Sequence, residues 1–315
     1  MHPTSDTFTA VAADQLRREL ARRKTLSWQT DRSLLSPWLS LYALPKPDAA
    51  TTLELCQLNI AEFQIVTARW QRSDAKATAL VVHGYFDHIG MTRHLIRHLL
   101  NQRYSVVAFD LPGHGLSSGP RAEIEDFQQY VDVMDGVISH HQLAGTPGLW
   151  AIGQSTGGAI LMKKILQGDG RELFDRTTAL VPLLYPNNWS LVKLNLLWVK
   201  RALKALPRLD KKSSHDEAFN QLVKEGDPLQ PKTIPVNWLL AMQRWAEQFQ
   251  LCATSDVPIH IIQGSGDHTL EWRTNLNCFR SKFPNARISM VEDGKHHMIN
   301  EAEPYLSEIL GLVGE

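Results

Sequence analysis

Any chemistry in this sequence turns on Ser155. It sits in Gly153-Gln154-Ser155-Thr156-Gly157, between an apolar run from Leu149 and an apolar segment with helical spacing that begins Ala159-Ile160-Leu161-Met162. Strand, sharp turn and helix form the setting in which Gly-x-Ser-x-Gly becomes a nucleophile elbow. The turn strains the serine backbone and exposes its hydroxyl, and a glycine two residues to either side leaves room for the close approach. Chance alone produces such a pentapeptide about once in ten chains of this length. The rest of the chain must therefore supply a base, an acid and an oxyanion site.

In open parallel sheets, functional groups gather beyond the carboxyl ends of strands, so the partners of Ser155 are sought there. A strand expected at 258–262 runs into Gln263-Gly264-Ser265-Gly266-Asp267-His268-Thr269, which puts Asp267 on a glycine-rich loop. A strand expected at 286–291 runs into Glu292-Asp293-Gly294-Lys295-His296-His297. The order Ser155, Asp267, His296 supplies nucleophile, orienting acid and base. His297 is the alternative base and Asp293 the alternative acid. The oxyanion donors are expected to be the backbone N–H groups of Thr156 and of Tyr85, which lies in His83-Gly84-Tyr85-Phe86 after an apolar strand at 78–82. This chemistry requires no metal or organic cofactor. His94 and His98 have the i, i+4 spacing of a helical metal pair, but no carboxylate or third ligand accompanies them, and a solvated basic face explains them better.

Short buried strands alternate with helices around these groups. Strands are expected at 63–70, 78–82, 104–110, 149–153, 178–182, 258–262 and 286–291, and helices at 124–140, 272–283 and 302–312. The implied fold class is α/β: a mostly parallel central sheet with helices on both faces. A helix expected at 9–25 carries few apolar residues and should pack late on the outside. The rhythm breaks at 183–257, where Trp189, Leu194, Leu196, Leu197 and Trp198 mix with Lys193, Lys200, Arg201 and Lys204. We read this stretch as a helical cap insertion over the carboxyl edge of the sheet. The expected division is an N-terminal helical extension (1–50), a core in two parts (51–182 and 258–315) and the cap (183–257).

The 315 residues carry a formal net charge of zero, 43% apolar and 21% charged residues. Such a balance excludes a general nucleic-acid binder. Cys56, Cys252 and Cys278 are far apart and form no Cys-x-x-Cys pair, which fits a reducing compartment. The sequence shows neither a secretory leader nor an apolar run of membrane-spanning length, so the expected location is cytoplasmic. The cationic stripe Lys200, Arg201, Lys204, Arg208, Lys211 and Lys212 reads as an exposed helix face that could also touch an anionic lipid surface.

Three motifs together resemble the α/β-hydrolase superfamily, and within it the monoacylglycerol lipase and lysophospholipase-like group often labelled serine aminopeptidase-like. They are His83-Gly84-x-x-x-His88, Asp110-x-x-Gly113-His114-Gly115-x-Ser117-x-Gly119-x-Arg121 and Gly153-x-Ser155-x-Gly157. The segment His296-His297-Met298-Ile299-Asn300-Glu301 is similar to the catalytic-histidine segment of that group, in which the first histidine is the base. The resemblance covers about residues 79–312, with 183–257 matching only as a cap. It implies a serine hydrolase of carboxylic esters, with an acylglycerol or lysophospholipid as substrate. An aminopeptidase-like amide hydrolase, an acyltransferase and a non-catalytic binding module are the alternatives. Against the peptidase, the oxyanion segment is His-Gly-Tyr-Phe where prolyl iminopeptidases have His-Gly-Gly-Pro-Gly. Natural substrate, oligomeric state and the role of residues 1–50 stay open at this level.

Overall fold

A computed structural model describes residues 8–168, 173–208 and 212–315. The chain opens with helix α1 (Ala10–Arg23), started by Thr9, whose hydroxyl accepts from the Ala12 N–H, and ended by Lys24 in a left-handed conformation (φ 66°). Strand β1 (Thr25–Ser27) and helix α2 (Arg32–Leu41) follow, and then a hairpin of β2 (Thr51–Ile60) and β3 (Phe63–Arg72). Next come β4 (Ala77–Val82), α3 (Arg93–Asn101), β5 (Tyr104–Phe109), α4 (Phe127–His140), β6 (Trp150–Gln154), α5 (Thr156–Leu166) and β7 (Arg176–Leu180). Between β7 and the next sheet strand lie α6 (Trp189–Ala202), β8 (Ala205–Pro207), α7 (Glu217–Gln221), a π-helical turn (Leu222–Gly226), β9 (Thr233–Pro235) and α8 (Val236–Leu251). The chain closes with β10 (His260–Gly264), α9 (Trp272–Lys282), β11 (Arg287–Val291) and α10 (Tyr305–Gly314).

Among the described residues, nine strands form one sheet in the order β1-β2-β3-β5-β4-β6-β7-β10-β11. The pairs from β5 through β11 are parallel, and β1, β2 and β3 add an antiparallel edge. The short apolar runs form buried strands because each is covered on both faces. In β4, Leu80 and Val82 enter one core and Ala79 and Val81 the other, the two-residue alternation of a pleated strand. After β4 the chain goes to β5 on one side and later returns to β6 on the other. This reversal opens a crevice at the carboxyl ends of β4 and β6, where α/β sheets place their ligands.

The N-terminal part contributes more to the sheet than the expected helical extension did. Helix α1 packs through a narrow i, i+3, i+7 stripe of Ala13, Leu16 and Leu20, of which Leu16 and Leu20 are fully buried. Segment 25–27, inside the stretch expected as a helical extension, joins the sheet, and β2, a ten-residue strand absent from the expected strands, pairs along its whole length with β3. Trp38 and Tyr42 from this region belong to the same buried cluster as Trp70 and Trp150.

Residues 183–257 form helices plus a two-stranded ribbon of β8 and β9. Helix α8 buries Trp238, Met242, Trp245 and Phe249 in the same cluster as one sheet face. The Trp245 indole N–H donates to the Leu183 carbonyl (3.3 Å), tying the end of this insertion to its beginning. The cationic stripe is not one solvated face. Arg208 is half-buried with its guanidinium 4.3 Å over the Phe86 ring, while Lys204 and Lys212 are exposed and Lys212 pairs with Glu217. Lys211 lies outside the described residues, as do the side chains of Leu197, Trp198, Lys200 and Arg201.

Candidate active site

Ser155 stands between the last residue of β6 and the first of α5 with φ 52° and ψ −111°. An L-residue in such a region carries about 1–3 kcal/mol of strain and persists only when its surroundings over-determine it. Here the Ser155 N–H donates to the Leu180 carbonyl (2.8 Å) and the Ser155 carbonyl accepts from Leu183 (3.0 Å). Glycine is required beside it: a Cβ on Gly157 would lie 2.1 Å from the Val82 carbonyl oxygen, so α5 starts against β4 only without one.

The loop after β10 carries Asp267 and the loop after the adjacent strand β11 carries His296, so neighbouring strand ends bring the two together. His296 Nδ1 lies 2.9 Å from Asp267 Oδ2, and His296 Nε2 lies 3.0 Å from Ser155 Oγ. The other oxygen of Asp267 accepts from the N–H groups of Thr269 (2.7 Å) and Leu270 (3.2 Å). All three side chains are buried, and Ser155 and His296 keep 7% exposure each, enough for contact with the crevice. Burial alone would raise the Asp267 pKa, but His296 and the two backbone donors outweigh it and hold the carboxyl below its ordinary range. Burial would likewise lower the His296 pKa, and the Asp267 carboxylate outweighs it, so the imidazole titrates above 6.5.

That direction sets a pH dependence. A general base acts in its neutral form, so with His296 in that role activity rises with pH through the His296 pKa, and a raised pKa moves this limb toward alkali. The acid limb of kcat/KM is therefore expected to have its midpoint above 6.5, measured on a neutral ester across pH 5–9. A midpoint below 6.5 would mean that burial outweighs the Asp267 carboxylate at His296.

The alternative partners point elsewhere. The His297 ring stands perpendicular to His296 with centroids 5.8 Å apart, packs against Phe219, and has its Nδ1 3.6 Å from Asp87. Burial lowers its pKa. Asp293 is exposed, accepts from the Tyr305 hydroxyl (3.2 Å) and lies 3.6 Å from His215. Of the sequence candidates, the hydrogen-bonded chain contains Ser155, His296 and Asp267.

The turn after β4 passes directly beside the serine. A Cβ on Gly84 would lie 3.3 Å from that of Ser155. The Asp87 N–H donates to the Gly84 carbonyl (3.1 Å), closing a turn in which Phe86 takes φ 68°, an uncommon conformation for a bulky residue. His83 braces the same turn: its Nδ1–H donates to the Gly84 carbonyl (2.7 Å) and its Nε2 accepts from Leu111 (2.9 Å). Burial lowers the His83 pKa, which keeps the ring in this neutral form. Thr156 is the first residue of α5, and first-turn N–H groups have no acceptor within their own helix. The N–H groups of Tyr85 and Thr156 thus flank Ser155 as candidate oxyanion donors.

Several supporting residues had no role in the sequence reading. Asp110 accepts from Ile89 (2.8 Å) with one oxygen and from Leu116 (2.7 Å) with the other, tying together the loops after β4 and β5. Asp227 of the insertion pairs with His88 (3.0 Å) and accepts from the Tyr42 hydroxyl (2.6 Å), so three distant segments meet at one buried carboxylate. Glu301 accepts from the N–H groups of Lys295 and His215 (2.6 Å each), joining the loop of His296 to the insertion. Asp110 and Glu301 stood in recognisable motifs. Asp227 had no local signal, because its meaning comes from partners far away in sequence. Among the described residues, no group of three His, Cys, Asp or Glu could hold a metal ion, and His94 accepts from the neighbouring Arg93 (3.0 Å).

The family described as "Serine aminopeptidase, S33" matches residues 73–303. The chain is 24% identical over 246 residues to phospholipase YtpA of Bacillus subtilis, covering 74% of this chain and 93% of that protein. It is 31% identical over 168 residues to the monoglyceride lipase of Homo sapiens, covering 52% and 54%. Among solved structures, a soluble variant of monoglyceride lipase from Saccharomyces cerevisiae in complex with a substrate analog aligns with a TM-score of 0.71 at 17% identity, over 85% of this chain and 96% of that one. The monoacylglycerol lipase of Paleococcus ferrophilus aligns with a TM-score of 0.64 at 19% identity, over 80% and 99%.

Proposed function

The chain belongs to the serine aminopeptidase S33 family of α/β-hydrolases, and from that premise we propose that it hydrolyses carboxylic esters of the acylglycerol or lysophospholipid type through an acyl-enzyme on Ser155. The observation that carries the reading is the unbroken hydrogen-bonded chain from Ser155 Oγ through His296 to Asp267. In this mechanism Ser155 Oγ attacks the ester carbonyl carbon while His296 Nε2 takes its proton. The carbonyl oxygen becomes an oxyanion held by the N–H groups of Tyr85 and Thr156, each such donor contributing about 3 kcal/mol to transition-state stabilisation. Collapse expels the alcohol, which takes the proton from His296. A water molecule then repeats the cycle on the acyl-enzyme, releasing the carboxylic acid and regenerating Ser155. Asp267 holds the imidazole with Nδ1 protonated and offsets its positive charge.

The lipid part of the reading is supported by relatives named as a phospholipase and monoglyceride lipases, and by the surface of α6. There Leu191 (61%) and Leu194 (58%) are exposed beside Lys193, a pairing of apolar and cationic groups suited to transient contact with a lipid surface. No helix among the described residues is long and apolar enough to cross a membrane. The test is a panel of glycerol and p-nitrophenyl esters graded by acyl length, with lysophospholipids and aminoacyl amides alongside. Esters are expected to exceed the amides in kcat/KM by at least about a hundredfold. Preference for the amides would overturn the ester assignment.

A further inference from the structure

We infer that Trp238 of helix α8 is a positioning residue for the oxyanion turn, so that the insertion between β7 and β10 completes the catalytic machinery as well as roofing it. The inference rests on the proposed ester chemistry and adds to it a residue and a coupling. Its starting point is the conformation of Phe86, which follows the candidate donor Tyr85 and lies at φ 68°. Strained turns of this kind keep one geometry only when neighbours hold them. The Asp87 N–H closes the turn around Tyr85 and Phe86 by donating to the Gly84 carbonyl, and His83 braces that same carbonyl. One backbone bond across the turn fixes its ends, and the two aromatic rings are held by their own surroundings.

Packing comes chiefly from the insertion. The Tyr85 ring lies against the Trp238 indole with centroids 3.6 Å apart and planes at 13°. Its other neighbours are Phe86 (4.0 Å) and the edge of His114 (5.5 Å), and its hydroxyl donates to the Ala122 carbonyl (2.8 Å). Trp238 is itself fixed: it is buried, its indole N–H donates to the Tyr130 hydroxyl (3.2 Å), and its ring packs against Phe127 (6.2 Å) on α4. Arg208, also of the insertion, covers the Phe86 ring. A chain of contacts thus runs from α4 through Trp238 to the Tyr85 ring, whose backbone N–H is the candidate donor beside Ser155. If Trp238 recedes, Tyr85 can rotate and the turn can relax, moving the N–H away from the developing oxyanion. The oxyanion develops only in the transition state, so this loss falls on kcat.

The test measures kcat and KM on a short soluble ester for Trp238→Ala, Trp238→Phe, Tyr85→Ala and the Trp238→Ala/Tyr85→Ala double variant, each normalised to the fraction of sites that a fluorophosphonate labels at endpoint. Tyr85→Ala keeps the backbone N–H and removes only the ring. Each alanine variant is expected to lower kcat by about 10- to 100-fold with KM within about threefold. Trp238→Phe should recover most of the loss. The double variant should be no worse than about the poorer single one, because both remove the same stack. A trifluoromethyl ketone, which binds as an oxyanion, should lose affinity in parallel with kcat. The inference is overturned if Trp238→Ala retains kcat per labelled site within about twofold of the parent, or if the two losses multiply in the double variant. Neither outcome touches the ester assignment itself, which is tested separately on the parent, by its preference between esters and amides and by turnover at Ser155.

Discussion

Replacing Ser155 with alanine is expected to lower ester turnover by roughly a millionfold and to abolish labelling by a fluorophosphonate, with the fold unchanged. The size of the loss follows from what is removed. The oxyanion donors and the crevice persist, and in serine hydrolases they sustain about a thousandfold acceleration over water without the nucleophile. Everything else passes through the Oγ that His296 Nε2 meets at 3.0 Å. Stability should hold, because alanine occupies the same strained backbone at φ 52° and gives up only a hydroxyl. Ser155→Gly sharpens the distinction between chemistry and strain. It removes the nucleophile and also relieves a conformation costly to any residue with a Cβ, against a smaller entropic loss in the unfolded chain. It should thus be as inactive as the alanine variant and more stable by about 1 kcal/mol. Hydrolysis rates, mass-spectrometric mapping of the labelled peptide and thermal melts read the three effects separately. Activity in Ser155→Ala above about 1% of the parent, after excluding contaminating hydrolases, would remove Ser155 from the reaction.

Much of the candidate site was legible because its signals are local. An apolar run ending at Gly153-Gln154-Ser155-Thr156-Gly157 specifies strand, turn and helix over a dozen residues, and the strand ends that carry Asp267 and His296 are marked by glycines and a break in apolar character. Their meeting was legible for a topological reason: β10 and β11 are parallel neighbours joined by one helix, which puts both loops on one edge of the sheet. The N-terminal region carries thinner signals. Helix α1 has only Ala13, Leu16 and Leu20 to bury, and a stripe that narrow looks like a surface helix until a partner is known. Strand β2 alternates cleanly only over Thr52-Leu53-Glu54-Leu55, and Pro45 and Pro47 just before it are turn signals that mask its start. The insertion was least legible. Asp227 gains its role from Tyr42 and His88, and Trp238 gains its role from Tyr85, and no local pattern encodes partners so distant. What the sequence leaves out is long-range contact, and in this protein such contacts join the insertion to the turn beside Ser155.

Asp267→Asn is expected to cut kcat/KM by about ten-thousandfold with little change in structure. The two carboxylate oxygens have different duties, and this makes the substitution informative. Oδ1 accepts from the N–H groups of Thr269 and Leu270, and Oδ2 faces His296 Nδ1 at 2.9 Å. An asparagine must keep its amide oxygen toward the two backbone donors, since its NH2 group would meet them donor against donor. The NH2 group then faces Nδ1, which can only accept from it, and the ring proton moves to Nε2. With that nitrogen protonated the imidazole cannot take the proton of Ser155, although every heavy atom stands nearly where it did. A second consequence concerns pH. The carboxylate is the largest influence that raises the His296 pKa, while burial lowers it, so the acid limb of the residual activity should move to lower pH than in the parent. Reduced turnover together with an acid-shifted limb separates loss of this partner from general damage, which would lower the plateau and leave the limb in place. Near-parental activity would mean that another carboxylate orients the base, and Asp293, exposed and turned toward Tyr305, would have to swing across its loop to do so.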